Sequence, residues 1–159
     1  MIRILSAFAI CALLLTVNSA CNKECSPKPV SAEASAMTAY AQSIGMTPTA
    51  HSSGIFYEIL EPGTGATPSV LSEISITYVG KLLNGEIFDQ MSTPNNTMEN
   101  PRWPLSGLIE GWKIGIPLIK VGGKIRLLIP SALAYGCEGR GSIPGNSPLF
   151  FEVSLVEIR

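Results

Sequence analysis

A chain of 159 residues, 46% hydrophobic and 14% charged, has room for one domain of ordinary size and is too apolar for a disordered polymer. Eleven Lys and Arg against 12 Asp and Glu leave a net charge of −1. No basic run occurs, which excludes nucleic acid as the main partner because phosphate recognition needs a basic face.

In chain order, the first predicted element is an export segment, residues 1–20. Arg3 supplies a positive start, and residues 4–17 are apolar apart from Ser6 and Thr16. That stretch is shorter than the roughly 20 apolar residues a spanning helix needs. Cys21 follows Ser19-Ala20, an arrangement that resembles a bacterial lipobox, in which the cysteine receives lipid and becomes the first mature residue. Asn18 stands where that motif usually has Leu. The expectation is an exported lipoprotein, anchored to a membrane through the lipid alone and facing the periplasm. Ordinary cleavage near the same point would instead give a soluble periplasmic protein. One acyl chain binds membranes weakly, so a stable anchor needs more than one.

Residues 21–53 are expected to be a tether with a short helix. Residues 22–30 are polar and contain Pro27 and Pro29, which predicts a solvated segment. In residues 31–44, Met37, Tyr40, Ala41 and Ile44 recur at helical spacing, with Ser31 as candidate cap and Gly45 as stop. So short a helix persists only if its apolar face docks on the domain. Residues 47–53 are expected to be loop.

The compact domain is expected over residues 54–159. Residues 55–60 are a strand candidate stopped by Pro62-Gly63. Residues 73–79 alternate Ile74, Ile76 and Tyr78 against Ser75, Thr77 and Val79. Asn84-Gly85 between two apolar runs signals a hairpin. Residues 90–102 form a polar loop. Residues 108–119 hold the domain's apolar run with helical character, which Pro117 should cut short. Residues 124–130 and 149–158 again alternate as strands, separated by a Gly-rich loop. Several antiparallel strands with one short helix predict an α+β domain whose sheet buries a face against that helix. Twelve prolines and 15 glycines agree with so many turns.

His51 is the chain's one histidine and falls in the tether, so neither a zinc site nor a His-based triad is supported. Cys137 has no histidine in the domain to activate it and is expected to be a plain loop cysteine. Its pairing with Cys25 in an oxidising compartment stays open.

Motifs in these elements resemble a known family. They are Tyr78-Val79-Gly80 with Gly85-Glu86-Ile87-Phe88-Asp89; Leu108-Ile109-Glu110-Gly111-Trp112; Val121-Gly122-Gly123-Lys124 with Ile129-Pro130 and Ala134-Tyr135-Gly136; and Ile143-Pro144 with Leu149-Phe150-Phe151-Glu152-Val153. In this order and spacing they resemble the FKBP-type peptidyl-prolyl cis–trans isomerases over essentially all of residues 54–159. The resemblance implies a bent antiparallel sheet wrapped around one short helix and an apolar pocket. It implies that Asp89, Tyr135 and Trp112 are catalytic and that Tyr78, Phe88, Trp103, Leu108, Ile109, Ile143 and Phe151 bind substrate. Trp103 stands where the family has phenylalanine. Pro101 stands where some members carry a second aromatic, and the loop after Asp89 is a few residues longer than in the smallest members.

The implied chemistry is rotation of an X-Pro bond through a twisted amide, against a peptide barrier of about 18–20 kcal/mol. No bond is made or broken, so no nucleophile, metal or cofactor is required. A planar amide is more charge-separated than a twisted one, so an apolar, water-poor pocket favours the twist. Trp112 would form the floor under the proline ring. The Ile109 N–H at the helix start and the Tyr135 phenol would bind carbonyls. Asp89, polar inside an apolar cup, would orient Tyr78 or meet the rotating carbonyl carbon. The implied partners are proline-containing unfolded or partly folded proteins and macrolide inhibitors such as rapamycin. Residues 22–53 are too short for the long helical arm of dimeric relatives, so a monomer is expected. A non-catalytic proline-binding module or a folding chaperone is the alternative.

Overall fold

The computed structural model describes residues 25–159, so the export segment and Cys21 lie outside the described residues. Seven strands form one sheet: β1 (Thr49–Ala50), β2 (Phe56–Glu61), β3 (Glu73–Leu82), β4 (Ile87–Met91), β5 (Trp103–Pro104), β6 (Lys124–Ile129) and β7 (Leu149–Ile158). The order across the sheet is β1-β2-β6-β7-β3-β4, with β5 also paired to β3. Every pairing is antiparallel. Among the described residues the two α-helices are α1 (Ala34–Ser43) and α2 (Glu110–Gly115).

The period-two pattern of the strands divides their side chains between two faces. Ile125, Leu127 and Ile129 of β6 and Leu149, Phe151, Val153 and Leu155 of β7 join Ile74, Ile76 and Tyr78 of β3 in the main core. Trp112 and Ile116 bring α2 into the same cluster. The helix can lie so close because Gly111 and Gly115 face the sheet: a Cβ on Gly115 would sit 2.6 Å from Leu127 Cδ2, and one on Gly111 would collide with Ile129. Pro117 ends the α-helix as expected, and the chain continues as a tighter turn over Ile116–Leu118.

Leu128 and Phe150 point to the opposite face, where α1 covers them with Met37, Tyr40 and Ala41. The Tyr40 and Phe150 rings meet at 5.6 Å. The helix therefore has the docking its length requires. Its start differs from the sequence expectation: a 3-10 turn over Val30–Glu33 precedes it, Ser31 caps nothing, and Glu33 is buried. The neighbouring expectations change as well. Thr49–Ala50, read as loop, pairs with β2. Residues 25–30, read as solvated, are attached to the body through a Cys25–Cys137 disulfide and through hydrogen bonds linking Ser26 and Lys28 to Asn146.

The polar loop after β4 holds a structural anchor. Asn95 is fully buried, accepts the Ile76 N–H at 2.8 Å, and donates to the Ile74 and Pro101 carbonyls. It satisfies backbone groups where β3 changes register between Ser75 and Ile76. The loop is thereby pinned so that Trp103 pairs with Ile74 and reaches the pocket.

Candidate functional site

A pocket of about 600 Å³ opens between the start of α2, the β3–β4 hairpin and the loop before β7. Each wall follows from one element. The hairpin supplies Tyr78, Phe88 and Asp89, brought side by side because Gly80 pairs with Asp89 across the ladder. Strand β5 supplies Trp103, and the turn into α2 supplies Leu108 and Ile109. Trp112 is 4% exposed, so only a small patch of its indole reaches the cavity. Phe151 rises from β7, while Tyr135 and Ile143 come from the 131–147 loop. All ten pocket residues expected from the sequence thus line a single cavity.

The aromatic rings support one another. Trp112 meets Tyr78 edge-on at 5.2 Å and Phe151 at 5.1 Å, and Phe88 meets Phe151 at 5.6 Å. Such T-shaped contacts fix ring orientation beyond what area burial alone would do. The Tyr78 hydroxyl donates to Asp89 Oδ2 at 2.5 Å. Burial first, then this hydrogen bond and the Asp89 charge, push the Tyr78 phenol far above its usual range. Tyr78 is therefore a fixed, protonated donor.

Asp89 differs from expectation in its surroundings. It stands exposed at the rim of the pocket, not enclosed by apolar walls, because β4 is the edge strand of the sheet. Its contact with Tyr78 agrees with the expected orienting role. Among the donors of the cavity, the buried Trp112 indole N–H, the Ile109 N–H just before α2 and the Tyr135 hydroxyl have no acceptor among the described residues. The Ile109 carbonyl, by contrast, accepts from Trp112 and Lys113 in the first helical turn.

The sequence did not single out Arg140 or Ser142, which also line the cavity. The Arg140 guanidinium lies 5.6 Å from the Tyr135 ring centre, a cation–π contact at the pocket mouth. Both residues sit in a Gly-rich loop without periodicity, and nothing in the sequence beside them pointed to the cavity.

The result is an aromatic cavity with few hydrogen-bonding groups and with free donors at its edge. The family model "FKBP-type peptidyl-prolyl cis-trans isomerase" matches residues 65–156. The FKBP-type peptidyl-prolyl cis-trans isomerase FkpA of Escherichia coli is 39% identical over 108 residues, covering 68% of this chain and 39% of that protein. The FKBP-type 22 kDa peptidyl-prolyl cis-trans isomerase of the same species is 40% identical over 107 residues, covering 67% of this chain and 50% of that one. A crystal structure of a peptidyl-prolyl cis-trans isomerase from Pseudomonas syringae pv. tomato superposes with a TM-score of 0.66 at 32% identity, covering 84% of this chain and 98% of that chain. The chain belongs to the FKBP-type peptidyl-prolyl cis–trans isomerase family, whose members bind proline-containing substrates. It spans about two fifths to one half of the length of these two Escherichia coli relatives.

Proposed function

We propose that this protein accelerates cis–trans rotation of X-Pro bonds by binding the proline ring in the aromatic cavity. The observation that carries this reading is the cavity itself: Trp112 between Tyr78 and Phe151, with unpaired donors at Ile109 and Tyr135. Trp112 supports the ring. The Ile109 N–H and the Tyr135 phenol hold carbonyls on either side of the rotating bond. The apolar walls disfavour the charge-separated planar amide, and every 1.36 kcal/mol removed from the barrier raises the rate about tenfold. Asp89 acts through Tyr78, whose ring forms part of the wall.

The same reading covers surroundings and partners. The substrates are proline-containing segments of unfolded or partly folded proteins, and macrolides such as rapamycin compete for the cavity. The protein is exported, works as a monomer, and carries lipid on Cys21, the cysteine that follows Ser19-Ala20. The deciding experiment is an isomerisation assay on short peptides with varied residues before proline, without added metal or nucleotide. Acceleration, fastest with an apolar residue before proline, is the expected result. A folded sample inactive across the panel would leave a proline-binding module without catalysis.

A further inference from the structure

Glu33 is a carboxylate only 4% exposed, and it lies outside the residues matched by the family model. Burying a carboxylate is unfavourable unless its oxygens receive hydrogen bonds. Here Oε2 accepts the Ser131 N–H at 2.6 Å and Oε1 accepts the Ser131 hydroxyl at 2.8 Å. Ser131 opens the turn that leads to Tyr135. Its carbonyl accepts the Ala134 N–H at 3.0 Å and the Gly136 N–H at 2.8 Å, the two residues flanking Tyr135. Ser131 is therefore tied through the backbone to the residues on either side of Tyr135.

Two more links join the same pair of segments. Cys25 is bonded to Cys137, two residues beyond Tyr135, with the Cα atoms 5.4 Å apart. The Asn146 side chain accepts the Lys28 N–H at 3.2 Å and donates to the Ser26 carbonyl at 3.1 Å, while its own N–H donates to the Gly136 carbonyl at 2.8 Å. Residues 136–142 are half-buried or exposed and include Gly136, Gly139 and Gly141, so apolar packing does little to hold them in one conformation. Beyond the loop's own backbone hydrogen bonds and the buried Ile143, residues 25–33 supply the attachments to the rest of the fold described above.

We propose that residues 25–33 form a strap that holds the 131–147 loop in its working conformation, with Glu33 as a positioning residue for Tyr135 and the Cys25–Cys137 bond as the strap's reducible end. A dithiol reductant converts that bond to two thiols and is itself oxidised to a disulfide. Loss of either attachment lowers the fraction of molecules with Tyr135 in place, and apparent affinity falls by that fraction.

The proposal rests on the isomerase reading wherever turnover is the readout, so a second measurement accompanies it. In the full-length chain, Glu33→Ala, Cys25→Ser and the dithiol-treated wild type should each lower kcat/KM by about three- to tenfold, the range that loss of one good hydrogen-bonded attachment corresponds to. The dithiol should change nothing further in Cys25→Ser. Arg126→Gln, which breaks ion pairs on the outer sheet face, serves as a control for general destabilisation and should keep the wild-type value. Hydrogen exchange should quicken at residues 131–147 in the strap variants while strands β3 and β7 stay protected. Wild-type kcat/KM in both strap variants, with the parent active, overturns the proposal, as does unchanged exchange in the loop. An inactive but folded parent overturns the isomerase reading instead, and the exchange data still decide on the strap.

Discussion

Tyr78 and Asp89 share one short hydrogen bond at the edge of the cavity, and the proton in it belongs to the phenol. Burial and the adjacent carboxylate hold that proton well above the ordinary tyrosine range. Bond rotation needs no proton transfer, so kcat/KM should be flat between about pH 6 and 9, where an acid–base mechanism would give a bell. A bell-shaped profile on a standard X-Pro peptide would point to a titrating group in the reaction. Trp112 offers the sharper test. Trp112→Ala removes enough of the core to cost about 3–5 kcal/mol of stability, so Trp112→Leu is the fairer variant. It should lower kcat/KM by about tenfold or more, as expected when about 1.4 kcal/mol of transition-state contact is lost, and should weaken rapamycin binding in parallel. Full activity and binding in the folded variant would remove Trp112 from the site. These side chains were legible because each stands in an ordered motif at fixed spacing. Arg140 was not, since nothing in a Gly-rich loop says which way a side chain turns. Nor was the exposure of Asp89, which depends on which strand ends up at the sheet edge.

Among the elements, β6 and β7 carry the clearest electrostatic signature on their outer face. Glu152 receives Lys124 at 2.7 Å and Arg126 at 2.9 Å, and Arg126 also reaches Glu58 at 3.3 Å. Burial pushes the Glu152 carboxyl up, but the hydrogen bonds and charges of Lys124 and Arg126 outweigh it and hold the group below its usual range. A carboxylate lowered on folding stabilises the protein fully above its unfolded pKa and loses that contribution as pH falls through the folded one. The stability gap between wild type and Glu152→Gln should therefore be widest near neutrality and shrink between about pH 5 and 3, as urea denaturation at each pH would show. A gap independent of pH would mean that the ion pairs contribute nothing. The strands and the end of α2 at Pro117 were readable from alternation and from a missing N–H donor. Strand β1 was not, because two residues are too few to show a period. The role of Asn95 was hidden for a related reason: a buried polar side chain in a polar loop looks the same in sequence as an exposed one.

At the scale of the whole molecule, the sheet is covered on both faces, by α2 on one and α1 on the other. Cys25, well before the family-matched stretch, is bonded to the folded body through Cys137. The proposed lipid on Cys21 predicts that Cys21→Ser moves the protein from the membrane to the soluble fraction with its isomerase activity intact. Mass spectrometry of the mature amino terminus gives the direct answer, and an unmodified peptide there would mean a soluble protein. The disulfide then sets a length scale. A free tether running to residue 53 would let an anchored domain roam roughly 30 Å from the bilayer, as a flexible coil of that length does. With Cys25 bonded to Cys137, only four residue steps would separate a lipid on Cys21 from the fold, at most about 14 Å when fully extended. An anchored domain would ride against the headgroups, suspended by the loop that carries Tyr135. Chains emerging at the membrane surface would be within its reach, and those diffusing farther out would not.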